Sequence, residues 1–473
     1  MSTLRRFNAV APLLLVGMTL LATLSLSLAE RTLAIAAFLL LGLALLAVLT
    51  DSAFPRLQAR HRTRGRWRPR STLEMVLHLS PVILLTLAFP FATRRIGSVD
   101  VAGVKLTSLL LAASLTVPWL SQAACLPMYR AIGHLMQERD MVKVRRRLCE
   151  VWPITFLQTV PAIAIFAIPL EMIMRWPPKA LLTYVVLCVV HLAFAQGLIA
   201  ANVGRRRWHW ALAWAAYAAV LISVPAAWFL PALAGLLTQL IPLRKELPRM
   251  RHPVVLDKAD VGGDLVRGLL LGAVLWSDKL FFFLRARGSD DFPVSTVFWA
   301  LLPAILAYNY YFVRLAPIFD ESVLALRHAM ENGSYRRLTQ RSGSLTTTVD
   351  ATLIRTGLLG AALGLLVSLA FLERVPSLAS LVAWVSVASW LFMITTVACY
   401  KLDYVGRRAQ AQMFGAAHLL ICAGVFALTQ PGTSTYIVLT VLELPLCLLA
   451  LRACRASWRS SEYTLFWRHA TAW

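Results

Sequence analysis

The chain contains little acid and few cysteines for its length of 473 residues. Asp and Glu number 23 against 47 Lys and Arg, and charged residues make up only 15 % of the chain. The seven cysteines are odd in number and widely spaced, which is typical of neither a disulfide framework nor a zinc site. The sequence contains no Walker motif, no HExxH and no GxSxG. We therefore predict no metal and no cofactor.

Apolar sequence dominates the chain instead. Hydrophobic residues account for 59 % of it, and the mean hydropathy is +0.67. A membrane span needs roughly 20 apolar residues, and runs of that kind recur along nearly the whole chain. The sequence predicts an all-α integral membrane protein with about fourteen transmembrane helices. The expected spans are 8–28, 33–50, 75–93, 103–127, 151–174, 180–203, 209–224, 226–242, 267–285, 293–313, 351–372, 379–399, 410–428 and 435–451.

The longest inner linker with proline and glycine, at 243–266, divides the later spans into two sets of six. We expect a two-span extension with a basic loop at 1–74, a first half at 75–242, a second half at 267–452 and a cytoplasmic tail at 453–473. Because six is even, the two halves would share one orientation, as parallel repeats of a transporter do.

The stretch from Trp210 to Leu243 is short for two spans and long for one, and it carries Pro225 and Pro231. Counting it as two spans places most Lys and Arg in inner loops, as the positive-inside rule requires. Both termini are then predicted to be cytoplasmic. The first apolar run is predicted to stay attached as a span rather than to be cleaved as a signal peptide.

The net charge of +24 is explained by the same loops. Basic clusters such as 60–70 and 205–208 flank spans instead of forming one face, so orientation and anionic membrane lipid account for them. We predict no nucleic-acid partner.

Two adjacent charges, Asp278 and Lys279, interrupt the predicted span at 267–285. An ionisable residue at membrane depth costs roughly 2.5–3.5 kcal/mol, so it normally faces a bundle interior or a water-filled cavity. Adjacent helical residues point about 100° apart, so we expect a different partner for each charge. The alternative is that both side chains reach the outer surface.

Other polar residues in the spans are further candidates. Glu171 and Glu443 are each predicted to be a cavity residue, a partner of Lys105 or Lys279, or a neutral carboxyl. His78, His191 and His418 lie in different spans with no companion at metal-ligand spacing, and we predict that each is packed and hydrogen-bonded. Aromatic residues from Tyr308 to Phe312 form either an interfacial belt or a surface for sugar stacking.

Two segments resemble a known family. WSDKLFFFL (276–284) followed by ALLPAILAYNYYFVRLAPIFDE (300–321) is similar to membrane subunits of the Pel exopolysaccharide transporter, within the superfamily of multidrug exporters and of O-antigen and peptidoglycan-precursor flippases. YKLDYVGRRAQAQMFGAAHLL (400–420) is a further match. The matching positions in the first pair of segments are Asp278, Lys279, Pro303, Tyr311, Phe312, Arg314 and Asp320. The spans predicted within 8–50 are not part of that pattern.

The resemblance implies a flippase of a bacterial inner membrane that moves an exopolysaccharide or lipid-linked glycan outward by alternating access of the two halves. It implies a cytosolic glycosyltransferase and small membrane subunits of a secretion complex as partners. The candidate substrate or cavity residues are Asp278, Lys279, Arg314 and Tyr311 from the matching segments, together with Glu171 and Glu443 from the spans, and we predict no catalytic residue.

Two other functions remain open at this point. One is a membrane-embedded glycosyltransferase or acyltransferase acting on lipid-linked sugar, which should carry catalytic carboxylates on a substantial external loop. The predicted external loops are short and hold few acids, namely Glu30, Asp100, Asp290, Asp291 and Glu373, which favours transport. The other is a non-transporting scaffold that recruits a cytosolic synthase.

Overall fold

A computed structural model describes residues 71–137, 140–204, 206–224, 226–288 and 293–470. The predicted spans at 8–28 and 33–50 lie outside these residues, as does nearly all of the basic loop that follows them. The described residues are helical almost throughout, apart from turns and one hairpin of Asp100–Val101 (β1) and Val104–Lys105 (β2). The all-α fold class is confirmed.

Sixteen α-helices are found in the described residues. They are α1 Ser71–His78, α2 Ser80–Ile96, α3 Leu106–Gln137, α4 Met141–Thr159, α5 Ala164–Met174, α6 Pro178–Val203, α7 Arg207–Ser223, α8 Leu230–Leu240, α9 Lys258–Arg285, α10 Val294–Tyr310, α11 Ala316–Asn332, α12 Tyr335–Arg374, α13 Pro376–Tyr404, α14 Arg408–Leu428, α15 Thr433–Arg459 and α16 Ser461–Ala470. Short 3₁₀ turns follow α4 and α8, and a π-helical segment, Tyr311–Leu315, joins α10 to α11.

Eight helical segments in this part of the chain are long and apolar enough to cross a membrane. They comprise α3, α4 with α5, α6, α10 with α11, α12, α13, α14 and α15. Helix α9 has comparable length, but its apolar part contains Asp278, Lys279 and Arg285, whereas the apolar stretch of each of the eight holds two charged residues at most. The stretch predicted as two spans between Trp210 and Leu243 contains two helices, and neither belongs to this group. Helix α7 has 17 residues, and α8 with its 3₁₀ turn, Leu230–Leu243, is shorter still.

The chain divides into two compact units. The first is the described part of Met1–Val99 together with Ala201–Gln239. Within it the indole of Trp210 on α7 stacks on His78 of α1 with ring centroids 5.2 Å apart, and its Nε1 donates to the His78 carbonyl at 3.2 Å. Gln239 on α8 donates to the His209 carbonyl at 2.8 Å, which ties α8 to α7.

The second unit comprises Asp100–Ala200 and Leu240–Trp473, in its described part. Helices α3 and α9 cross closely in this unit, and Trp119 Nε1 donates to the Leu269 carbonyl at 2.7 Å. Further along the same crossing, Arg130 of α3 pairs with Asp260 at 3.0 Å and with Asp264 at 2.9 Å. Helix α13 is the most buried of the eight apolar segments. It packs against α9, α10, α12, α14 and α15.

Local sequence sets several of the helix and turn boundaries. Asp140 caps α4 by accepting from the backbone N–H groups of Val142 and Lys143. The β1–β2 turn has positive φ at Ala102 (56°) and Gly103 (88°), the geometry that two-residue hairpins favour. Pro376 stands at the first position of α13, where its missing N–H costs nothing.

Candidate functional site

The charges of α9 lie inside the second unit. Asp278 and Lys279 are both fully buried by surrounding protein, so the alternative in which they reach the outer surface is wrong. Their burial agrees with the expectation that ionisable residues at membrane depth face the bundle interior.

The pairing of these two charges differs from the sequence-based expectation. Lys279 Nζ lies 2.9 Å from Asp278 Oδ1, so the two neutralise each other directly. The expectation considered only the angle between adjacent Cα–Cβ bonds, whereas the four-carbon lysine stem bends back to its neighbour. Each residue also has a second contact: Lys279 Nζ donates to Ser389 Oγ of α13 at 3.1 Å, and Asp278 Oδ2 accepts from Tyr436 of α15 at 3.2 Å.

A second buried pair lies beside the first. His418 Nδ1 of α14 is 2.9 Å from Glu443 Oε1 of α15, and both residues are fully buried. The other ring nitrogen of His418, Nε2, lies 3.1 Å from Ser277 Oγ of α9 and 3.3 Å from Cys422 Sγ. Glu443 is therefore paired with His418, and not with Lys105 or Lys279.

We call the residues of both pairs and their contacts the polar centre. They are Ser277, Asp278, Lys279, Ser389, His418, Cys422, Tyr436 and Glu443.

Two members of the polar centre lie at the middle of their helices, whereas Tyr436 lies in the first turn of α15 and Asp278 lies seven residues before the end of α9. Ser389 is at the middle of the 29-residue α13, and His418 is at the middle of the 21-residue α14. A helix of about 20 residues spans the hydrocarbon layer once, so its middle lies near the bilayer midplane. Tyr436 and Glu443 are two turns apart on one face of α15, and His418 and Cys422 are one turn apart on one face of α14.

Tyr311 and Arg314 belong to a different cluster. Both lie in the π-helical segment after α10, and both are buried. Lys401 of α13 places its ammonium 5.1 Å from the centroid of the Tyr311 ring and 3.9 Å from that of Phe319. We call Tyr311, Phe319 and Lys401, together with Arg314 of the same π-helical segment, the Lys401 cluster. Lys401 is twelve residues after Ser389, so the cluster lies about 18 Å along α13 from the polar centre.

The aromatic run beside this cluster is packed. Tyr308 donates to the Tyr400 hydroxyl at 3.4 Å, and Tyr400 donates to Gln122 of α3 at 3.1 Å. Phe312 packs edge-on against Tyr400 with ring centroids 5.5 Å apart. π-Helical segments inside α-helices are frequent at functional sites, so this segment stays a candidate site.

Glu171 belongs to neither group. It is half-buried on α5, and its Oε2 is buried without a hydrogen-bond partner among the residues that the structure describes. Of the six candidates predicted from the sequence, three lie in the polar centre and two in the Lys401 cluster. Glu171 lies in neither.

Sequence reasoning missed several members of both clusters. His418 was expected to have no companion for a metal, yet the ligand atoms of His418, Cys422 and Glu443 all lie within 4.8 Å of one another. The four-residue spacing of His418 and Cys422 was a readable signal. The only sequence signal for Lys401 was its position in segment 400–420, which resembles the known family.

Comparison with known proteins finds solved structures that resemble this chain at low sequence identity. No protein-family model matches the chain, and no curated protein matches it. A solved structure of MATE in complex with MaD5 has 12 % identity over 84 % of this chain and 96 % of that chain, with a TM-score of 0.46. A multidrug resistance MATE family transporter of the MOP superfamily, in an outward-facing conformation, has 12 % identity over 83 % of this chain and 95 % of that chain, with a TM-score of 0.45.

A MOP superfamily transporter from Pyrococcus furiosus, described with a binding pocket of reverse polarity, has 13 % identity over 83 % of this chain and 95 % of that chain, with a TM-score of 0.44. These three TM-scores lie below 0.5, and these likenesses assign no function to the chain.

Proposed function

We propose that this chain is an inner-membrane transporter that moves an exopolysaccharide or a lipid-linked glycan outward. The observation that carries the proposal is the polar centre, in which Asp278, Lys279, His418 and Glu443 are fully buried in apolar helices. The two predicted halves, 75–242 and 267–452, would provide alternating access to the substrate. Both termini would lie in the cytoplasm, near a cytosolic glycosyltransferase and small membrane subunits.

Energetics support a functional role for these groups. Each ionisable side chain at membrane depth costs roughly 2.5–3.5 kcal/mol on insertion scales. Apolar residues of similar volume often replace a buried ion pair with no loss of stability, so a bundle of this kind does not need two such pairs to fold. Ionisable residues that face a bundle interior typically mark substrate or ion pathways.

The resemblance supports the substrate class. Segments 276–284 and 300–321 hold Asp278, Lys279, Tyr311 and Arg314, and segment 400–420 holds Lys401 and His418. Buried carboxylate, ammonium and tyrosine groups provide the donors and acceptors that bind sugar hydroxyls. Aromatic rings provide the faces on which sugars stack.

The test is export per molecule of membrane-inserted protein in the source bacterium. A deletion strain is complemented with wild type, Asp278→Ala, Lys279→Ala or the double variant, and extracellular carbohydrate is divided by the amount of inserted protein. The matched control is Asp350→Ala, which removes one partner of an exposed ion pair with Arg455 that also has a 2.9 Å contact.

We expect both single variants to lose export per molecule, with the double variant recovering abundance but not export. Asp350→Ala should retain export, because an exposed pair contributes only about 0–1 kcal/mol. Normal export per molecule in Asp278→Ala would overturn the proposal. Reduced abundance with normal export per molecule would also overturn it, and would mean that the Asp278–Lys279 pair stabilises the fold without acting in transport.

A further inference from the structure

His418, Cys422 and Glu443 present three kinds of metal-ligand atom at one buried point. One ligand atom of each residue lies within 4.8 Å of the others, and all three residues are buried. Two come from one face of α14 and the third from α15, so the arrangement exists only in the folded protein. We propose that these side chains form a binding site for a divalent transition-metal ion, with Zn²⁺ as the favoured ion.

The donor set selects the class of metal. One thiolate, one imidazole and one carboxylate form the mixed set that zinc accepts in four-coordinate sites. Mg²⁺ and Ca²⁺ prefer oxygen ligands alone, so a site with sulfur and nitrogen does not suit them. Zinc sites that keep an open position typically have three protein ligands of these types.

The three ligand atoms are near one another, and side-chain rotation is needed to bring them to the spacing of a bound ion. Zinc lies about 2.3 Å from sulfur and about 2.0–2.2 Å from nitrogen or oxygen, so its tetrahedral ligand atoms are about 3.3–3.8 Å apart. Cys422 Sγ is already 3.3 Å from His418 Nε2, and Glu443 Oε1 is 2.9 Å from His418 Nδ1. These two contacts use different ring nitrogens, and one ion can bind only one of them, so the imidazole or the Glu443 carboxylate must rotate to bring all three ligands to one ion. If Nε2 binds the ion, the Ser277 hydroxyl, 3.1 Å from that nitrogen, can provide a fourth ligand.

An orphaned oxygen is the second observation that points to a cation. Glu443 Oε2 is buried and accepts no hydrogen bond from any residue between 71 and 470 that the structure describes. A buried carboxylate oxygen without a donor is costly, and its negative charge adds to that cost. The neighbouring ammonium of Lys279 is already bound to Asp278 at 2.9 Å. A divalent ion would neutralise the Glu443 carboxylate and the Cys422 thiolate together.

Cobalt binding to the full-length, tag-free protein in detergent is the direct test. After chelator treatment, Co²⁺ is added, because thiolate ligation gives a sulfur-to-cobalt absorption band that Zn²⁺ then abolishes by displacement. The variants are Cys422→Ser, His418→Gln and Glu443→Gln. The matched control is Cys454→Ser, which alters another fully buried cysteine on α15, away from the three ligands.

We expect one Co²⁺ per chain and a thiolate band in wild type and in Cys454→Ser. The band should vanish in Cys422→Ser, and Co²⁺ affinity should fall at least tenfold in His418→Gln and Glu443→Gln, as removal of a ligand or of its supporting group does. Size-exclusion profiles and metal-free unfolding midpoints identify any variant that fails to fold, and the remaining two still test the site.

The proposal is overturned if the folded wild-type chain gives no thiolate band. It is also overturned if the band survives in Cys422→Ser, or if His418→Gln and Glu443→Gln bind Co²⁺ as wild type does. In those cases the three residues form a hydrogen-bonded network without a metal. None of these results depends on glycan export, so the metal site and the proposed transport activity stand or fall separately.

Discussion

Replacing Gly268 by alanine should destabilise the crossing of α3 and α9. A Cβ atom at Gly268 would lie 2.7 Å from the backbone nitrogen of Ala123 and 2.9 Å from the Gln122 carbonyl oxygen. Ordinary contacts between carbon atoms are about 3.5–4.0 Å long. Because the obstacle is backbone, no side-chain rotation can relieve it, and the helices must separate by about 1 Å.

The magnitude follows from two opposing terms. Overpacking a well-filled interior costs about 1–3 kcal/mol, and a collision with backbone belongs at the upper end. Alanine regains about 1 kcal/mol over glycine in a helix. The net loss is therefore about 1–2 kcal/mol, and separation of the helices also weakens the 2.7 Å bond from Trp119 to the Leu269 carbonyl.

Thermal unfolding in detergent measures this effect against a matched control. Gly424→Ala in α14 places its Cβ in open space, with nothing within 4 Å, so it should hold or raise the unfolding midpoint. Gly415→Ala in the same helix should lower the midpoint, since its Cβ would lie 2.8 Å from the Leu270 carbonyl carbon. A Gly268→Ala midpoint equal to that of Gly424→Ala would refute the close backbone approach of α3 and α9.

Three further predictions concern charged residues of the second unit. Arg130→Ala should lower the free energy of unfolding by about 1–2 kcal/mol, since it removes a 2.9 Å contact from the buried Asp264, which keeps a 3.2 Å contact with Arg267. Adding Asp264→Asn should recover part of this loss in thermal unfolding. Lys401→Met should unfold at the same or a higher temperature, because the Lys401 ammonium lacks a hydrogen-bond partner among the described residues. Lys401→Ala should unfold at a lower temperature, because it leaves the space of the lysine stem empty. The backbone N–H of Lys143 holds the pKa of Asp140 below its usual value, so the Asp140 cap stabilises α4 at neutral pH and loses that effect as the pH falls through the lowered pKa. Asp140→Asn should abolish this loss of helix stability at low pH. Amide hydrogen exchange in the first turn of α4, compared between the two proteins at each pH, measures the difference.

Apolar runs located most of the long helices among the described residues, but α11 and α16 lie outside every expected span. The expected spans 180–203 and 410–428 correspond to Pro178–Val203 and Arg408–Leu428, because a run long enough to cross lipid must satisfy its backbone as a helix. Hydropathy gives no signal where a helix continues into polar sequence, and α3 accordingly continues ten residues past the expected end at 127. The six-and-six division of the later spans stays a prediction.

Burial at the site was easier to predict than pairing. Asp278 and Lys279 interrupt an apolar run, so their cost alone argued for an interior position. Their mutual contact depends on how a flexible side chain bends, and the bond from His418 to Glu443 depends on the packing of α14 against α15. Neither can be deduced from spacing along one helix.

The two pairs of the polar centre impose different requirements on any conformational change. Lys279 and Asp278 lie on one helix, so their ion pair can persist when α9 moves as a rigid body. The contact between His418 and Glu443 joins two helices, as do the bonds from Lys279 to Ser389 and from Tyr436 to Asp278. Movement of α9 away from α13 and α15 would break the last two bonds while the charges stayed paired, which avoids the cost of an isolated buried ion. A transport cycle that displaces α9 would therefore exchange these two hydrogen bonds for bonds to substrate or water, and leave the charge balance of the centre unchanged.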